Sequence, residues 1–125
     1  MKILIIDDSR AMRAYVRASL EVEGELSVIE AANGLEALRI LPRDAFDLVI
    51  TDINMPDING LEVVAFMRRS EAHRDTPLLI ITTEAAPRDR ERALSLGADA
   101  YLSKPFDAPS LRAAVRAALA RVSQG

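Results

Sequence analysis

Short, nearly unbroken apolar runs recur along the chain at Ile3–Ile6, Leu26–Ile29, Leu48–Ile50 and Leu78–Ile81, with a weaker one at Ala100–Leu102. A strand with one wet face alternates apolar and polar residues, whereas a strand covered on both faces reads as continuous apolar. These runs are of the second kind. Between them, apolar positions repeat at helical spacing. Met12, Val16 and Leu20 form one stripe, Leu35 with Leu38 a short second, and Leu61, Val64 and Ala65 open a third. The fourth segment, about Arg88 to Leu96, carries the thinnest stripe and is dense in charge, so it should be the least firmly docked helix. Leu111, Val115, Ala118, Leu119 and Val122 make the cleanest stripe of all.

The punctuation agrees. Asp8-Ser9 suits the cap of the first helix, Gly97 the end of the fourth, and Pro109 the first turn of the last. Strand–helix alternation repeated five times predicts an α/β fold, a (βα)5 sandwich with a parallel sheet covered on both faces. Right-handed crossovers limit its topology to a few doubly wound orders.

Composition narrows the chemistry. The 125 residues are 50% hydrophobic and 28% charged, which fits one ordinary globular domain across residues 1–125. There is no cysteine, which removes disulfides, thiolate metal sites and cysteine nucleophiles and is compatible with a reducing cytoplasm. A single histidine, His73, argues against a histidine-based metal site. No apolar run approaches the ~18 residues that span a bilayer, and two aspartates cut off Ile3–Ile6 too early for a secretory signal. A net charge of −3 argues against wholesale affinity for nucleic acid or anionic membranes. Carboxylates remain to do the chemistry.

In an open parallel sheet, function collects outside the carboxyl ends of the strands. Those ends supply Asp7-Asp8, Asp52, Thr82-Thr83 and Lys104. Taken singly, each has a plain explanation. Asp7 and Asp8 fit a strand end with a helix cap, Asp52 a turn residue before Asn54-Met55-Pro56, Thr82 a strand hydroxyl bonded to backbone, and Lys104 a surface lysine. Together they are three carboxylates, a hydroxyl and an ammonium on one edge. Carboxylates brought close repel unless a cation sits among them, and an all-oxygen cluster suits Mg²⁺. A lysine opposite such a cluster is an ion pair at rest and a phosphate clamp when occupied.

The pattern resembles the receiver domain of bacterial two-component response regulators, in the CheY-like stand-alone form. The resemblance covers essentially the whole chain. It is carried by Ile5-Ile6-Asp7-Asp8-Ser9, by Val49-Ile50-Thr51-Asp52-Ile53-Asn54-Met55-Pro56 with Gly60 after it, by Ile80-Ile81-Thr82-Thr83, by Gly97-Ala98 and by Lys104-Pro105-Phe106. The separations also match: 44 residues from Asp8 to Asp52, 30 on to Thr82 and 22 on to Lys104.

The resemblance implies a flavodoxin-like sheet of order 2-1-3-4-5 and a cytoplasmic signalling switch rather than an enzyme, chemotaxis being one candidate setting. It further implies that Asp52 accepts a phosphoryl group from a histidine kinase or a phosphotransfer protein. Asp8, Asp52 and the backbone carbonyl of Asn54 would hold Mg²⁺, with Asp7 acting largely through water. Lys104 and Thr82 would bind phosphoryl oxygens, and Lys104–Pro105 would be cis. Tyr101 falls where the family keeps a switch aromatic, so an output protein would read the face formed by the fourth helix, fifth strand and fifth helix. Asn54 and Glu84, each two residues past a site residue, would rim the cleft and set the lifetime of the phosphorylated state.

Two rival classes fit less well. A Mg²⁺-dependent phosphohydrolase of the haloacid dehalogenase type would place an aspartate two residues after its nucleophile, where this chain has Asn54. A flavodoxin-type flavin binder would need amides and hydroxyls where the first turn offers Asp-Asp-Ser. The remaining polar residues read as bland. His73, in the polar run Ser70–Thr76, is expected in an exposed loop; Arg10, Arg13, Arg17, Arg112, Arg116 and Arg121 are expected on solvated helix faces.

Overall fold

Five strands alternate with five helices: β1 Lys2–Ile6, α1 Arg10–Glu21, β2 Ser27–Ala31, α2 Gly34–Ile40, β3 Leu48–Asp52, α3 Gly60–Arg69, β4 Leu78–Thr82, α4 Pro87–Leu96, β5 Ala100–Ser103 and α5 Ala108–Gln124, with a short 3₁₀ turn at Leu41–Arg43. The computed structural model describes residues 1–22, 24–83 and 87–124, the side chains of 87 and 122–124 excepted. All four strand pairings are parallel, and the sheet order is β2-β1-β3-β4-β5. This is one of the few doubly wound orders the pattern allowed, and the one the family resemblance implies.

Because side chains alternate across a strand, each central strand feeds two cores. Ile3, Ile5, Leu48, Ile50, Leu79 and Ile81 pack with Val16 and Leu20 of α1 and with Leu111, Val115 and Ala118 of α5. Leu4, Ile6, Val49, Leu78 and Ile80 pack on the other face with Ala37 of α2, Val63, Val64 and Met67 of α3, and Ala93 of α4. Every residue of β3 and β4 is buried.

Four sequence expectations need correction. The second strand runs over Ser27–Ala31 rather than Leu26–Ile29, because its register with β1 pairs Lys2 with Ser27 and Ile6 with Ala31. It is an edge strand, as is β5, and neither is buried along its length. In α2 the inward face is Gly34 and Ala37 with Leu38, continued by Leu41 of the 3₁₀ turn, leaving Leu35 45% exposed, because a helix starting at Gly34 turns that residue outward. His73 is not an exposed loop residue but fully buried. Its Nε2 meets the Leu41 carbonyl, its Nδ1 lies 3.3 Å from Thr76 Oγ1, and its ring stacks on Phe46 at 6.3 Å. A carbonyl needs a donor, so Nε2 carries the proton and Nδ1 accepts from the Thr76 hydroxyl. The Val122 side chain of the α5 stripe lies outside the described residues.

Local chemistry explains the helix ends. Ser9 Oγ accepts from the Met12 amide (3.1 Å), Asn33 Oδ1 from Glu36 (2.8 Å), Asn59 Oδ1 from Glu62 (3.0 Å) and Asp107 Oδ1 from Ser110 (2.8 Å). Each satisfies an amide that the first helical turn leaves without a partner. At the far end of α4, Gly97 adopts φ +117, its amide bonds to the Leu94 carbonyl, and Ala98 bonds back to Ala93. That is a Schellman ending, which a glycine permits at no steric cost. A Cβ at Gly97 would also lie 2.7 Å from Arg68 Cγ.

Arg68 is the polar counterpart of the apolar core. From α3 it donates to the carbonyls of Gly97 (2.8 Å), His73 (3.0 Å), Arg74 (3.1 Å) and Thr76 (2.8 Å), and to Asp99 Oδ2 (2.9 Å). The same Asp99 oxygen accepts from the Leu78 amide at 2.9 Å. One planar guanidinium thereby ties the ends of α3 and α4 to the start of β4.

Candidate phosphoacceptor site

The sheet order reverses direction at β1, between β1 and β3, and the crevice this opens lies at the carboxyl ends of the strands. Asp52 is the last residue of β3 and Thr82 the last of β4, while Asp7 directly follows β1 and Lys104 directly follows β5. Asp7 continues the alternation of Ile3 and Ile5, Asp52 that of Leu48 and Ile50, and Lys104 that of Ala100 and Leu102. The three side chains therefore leave their strands from one side and meet. Lys104 Nζ donates to Asp7 Oδ2 at 2.8 Å and to Asp52 Oδ2 at 3.2 Å.

Asp7 is buried and held from several directions. Its amide donates to the Ala31 carbonyl (3.1 Å), and its Oδ1 accepts from the Ser9 amide (2.8 Å). Its own carbonyl accepts from Arg13 Nη1 at 2.6 Å. Asp8 is exposed. Asp52 is buried, and its Oδ1 accepts from the Asn54 amide at 3.2 Å. The loop beyond it is tightly wound: Met55 N–H bonds to the Ile53 carbonyl, Ile58 N–H to that of Pro56, and Asp57 takes φ +67. Gly60 closes the loop, since a Cβ there would lie 2.1 Å from the Asp52 carbonyl oxygen. The Lys104–Pro105 peptide is cis.

Burial pushes the Asp52 carboxyl above its ordinary 3.8, against the downward pull of Lys104, and the nearby Asp7 adds to the rise. Burial alone would push the Lys104 ammonium down, but its hydrogen bond to Asp7 and the charges of Asp52 and Asp7 outweigh that and raise it. The site thus holds a carboxylate in a costly charged state beside a cation kept protonated.

Among the described residues, one acidic group brings metal-ligating atoms together: oxygens of Asp7, Asp8 and Asp52 lie within 4.8 Å of one another. The donors are all hard oxygens, one of them solvent-exposed, and that set fits a hydrated hard cation such as Mg²⁺.

Thr82 is buried and Asn54 Nδ2 approaches its hydroxyl at 3.5 Å. Tyr101 is half-buried on β5 opposite Ile80, on the same face of the sheet as Thr82 and packed against the α2–α4 core. Thr83 is exposed, and Glu84 lies outside the described residues.

The sequence reading did not single out Arg13 for this site and placed it on a solvated helix face. Its side chain is only 14% exposed, bonded to the Asp7 carbonyl and paired with Glu30 at 2.8 Å. Arg17 pairs with Glu30 as well, at 3.6 Å, and donates to the Val28 carbonyl, and Arg112 donates to the Ser19 carbonyl. The available signal was the four-residue spacing of Arg13 and Arg17, which put both on one side of α1.

Comparison with known proteins agrees with this architecture. Residues 3–116 match the response regulator receiver domain family. The chain belongs to that family, whose members are signalling switches rather than enzymes in the ordinary sense. It is 38% identical over 107 residues to a chemotaxis protein CheY homolog of Campylobacter jejuni, covering 85% of this chain and 82% of that one. It is 41% identical over 121 residues to the response regulator MprA of Mycobacterium leprae, covering 97% of this chain but 52% of that longer protein. The structure superimposes on the chemotaxis response regulator CheY4 of Vibrio cholerae with a TM-score of 0.87 at 36% identity, over 94% of this chain and 98% of that one.

Proposed function

We propose that this chain, a single receiver domain over residues 1–125, is a phosphoacceptor switch in which Asp52 takes a phosphoryl group from a histidine kinase or a histidine phosphotransfer protein. The observation that supports this most is the contact of Lys104 with both Asp7 and Asp52 at the ends of the strands. An Asp52 oxygen attacks phosphorus, the bond from phosphorus to the donor's imidazole nitrogen breaks, and that nitrogen keeps the electron pair. Asp8, Asp52 and the Asn54 carbonyl, with Asp7 through water, would hold Mg²⁺, which supplies charge neutralisation for the phosphoryl oxygens. Lys104 moves from carboxylate partner to phosphoryl partner without leaving the site. Thr82 hydrogen-bonds a second phosphoryl oxygen, and Tyr101 turns toward the space this vacates. The change appears on the face of α4, β5 and α5, where an output protein binds. Asn54 and Glu84 control the approach of water and hence the lifetime of the signal.

No helix among the described residues is long and apolar enough to cross a membrane. A cytoplasmic setting, with neither membrane nor nucleic acid as a direct partner, fits this reading.

Incubation with Mg²⁺ and acetyl phosphate should add one phosphoryl group per chain by intact mass, and Asp52→Asn should add none. Equal labelling of the variant would overturn the assignment. Repeated turnover of a phosphomonoester, in place of a stoichiometric label, would instead favour a phosphohydrolase. Combining Asn54→Met with Glu84→Lys should slow loss of the label; decay as fast as wild type would remove these side chains from the account.

A further inference from the structure

We infer that Arg13 is a positioning residue for the acid cluster, fixing the peptide that carries Asp8 toward the cation; this rests on the phosphoacceptor reading. The argument begins with how Asp7 is held. Its amide is bonded to Ala31 of β2, one carboxylate oxygen to the Ser9 amide and the other to Lys104. What remains is its carbonyl, which belongs to the peptide joining Asp7 to Asp8, and that carbonyl accepts from Arg13 Nη1 at 2.6 Å. A peptide unit is planar, so pinning its oxygen fixes the direction in which the Asp8 amide and Cα leave it. Asp8 is the exposed member of the cluster. Its backbone is the part that can be set in advance.

Arg13 is itself held. Its amide bonds to the Ser9 carbonyl at the helix cap, and its Nε to Glu30 Oε1 at 2.8 Å. Glu30 sits on β2 opposite Ile5 of β1, so the chain of contacts starts and ends on neighbouring strands. Glu30, which Arg17 shares at 3.6 Å, and Glu21, 3.8 Å from Arg17, together balance the two guanidinium charges. Arg13 can therefore orient the acid cluster without adding a net positive charge that would compete with a metal ion. Two acceptors in different directions, one a carbonyl and one a carboxylate, need the planar fork of arginine; a lysine ammonium on a flexible stem is not pre-set for both.

The test is a Mg²⁺ titration of the full chain, followed by the backbone amide shifts of Asp8 and Asn54, with thermal midpoints measured alongside. Arg13→Met keeps the apolar stem and removes both bonds. It should raise the Mg²⁺ midpoint about fivefold, the effect of one net hydrogen bond. Arg13→Lys should recover part of that loss. Arg17→Met is the control, because Arg17 also pairs with Glu30 and bonds the Val28 carbonyl but does not touch Asp7. It should cost stability and leave the Mg²⁺ midpoint unchanged. A wild-type midpoint in Arg13→Met, or an equal rise in Arg17→Met, would reduce Arg13 to a helix anchor and overturn the inference while the phosphoacceptor reading stands. No saturable Mg²⁺ response in the wild type would overturn both.

Discussion

At the amino end of the sheet, Arg68 meets four backbone carbonyls and the Asp99 carboxylate, and buried His73 finds one acceptor and one donor. At the carboxyl end, three aspartates crowd together and Lys104 contacts two of them. Both regions are polar, partly buried and built from residues far apart in sequence. They differ in sign. In the first, every group faces its complement, and burial strengthens each contact. In the second, burial works against Asp52, whose carboxyl is harder to ionise in the fold than outside it. An arrangement that only served stability would not keep like charges this close. On the proposed reading, the carboxyl end keeps them together for a cation whose charge would relieve the repulsion, and the rigidity of the amino end supports that cost.

The contrast is easiest to break through Arg68. Arg68→Ala would leave Asp99, which is mostly buried, without its short contact, and several carbonyls without a donor. A loss of about 3 kcal/mol in urea unfolding is expected. A loss below about 1 kcal/mol would put the node among ordinary surface pairs and erase the distinction.

His73→Ala should cost less, about 2 kcal/mol, from a cavity beside Phe46 and an unpaired Leu41 carbonyl. The same unfolding measurement checks it. No loss at all would return His73 to the exposed loop that its polar neighbours suggest.

The smallest effect has the opposite sign and sharpens the comparison most. A carboxyl raised above its ordinary 3.8 contributes stability below that value and loses it as pH climbs through the raised one. Asp52→Asn should therefore match the wild type in acid and exceed it by about 1 kcal/mol at neutral pH, since a buried charge that Lys104 offsets only in part is gone. Unfolding midpoints of the two proteins across this range test the sign. A variant less stable than wild type at neutral pH would show that Lys104 more than offsets the burial of Asp52.

Much of the candidate site was legible because it depends on order along the chain. Unbroken apolar runs mark strands covered on both faces, and the first polar residues after them mark the carboxyl ends. Asp7 and Thr82 are the first polar residues past their runs, and Asp52 and Lys104 come next after Thr51 and Ser103, so all four fall at one edge. Ser9 could be read as a helix cap for the same reason, since its partner amide lies three residues away. Leu35, His73, Arg13 and Arg68 were not legible in this way. Leu35 depends on where a seven-residue helix begins, and a shift of one residue turns a side chain by about 100°. Each of the other three has one partner far off in sequence besides nearer ones: His73 meets Leu41 across 32 residues, Arg68 meets Gly97 across 29, and Arg13 meets Glu30 across 17. A polar residue's neighbours in sequence indicate whether it would prefer water; only the packing of α3 against α4, of the segment after α3 against Leu41 and Phe46, and of α1 against β2 decided that these three have protein instead.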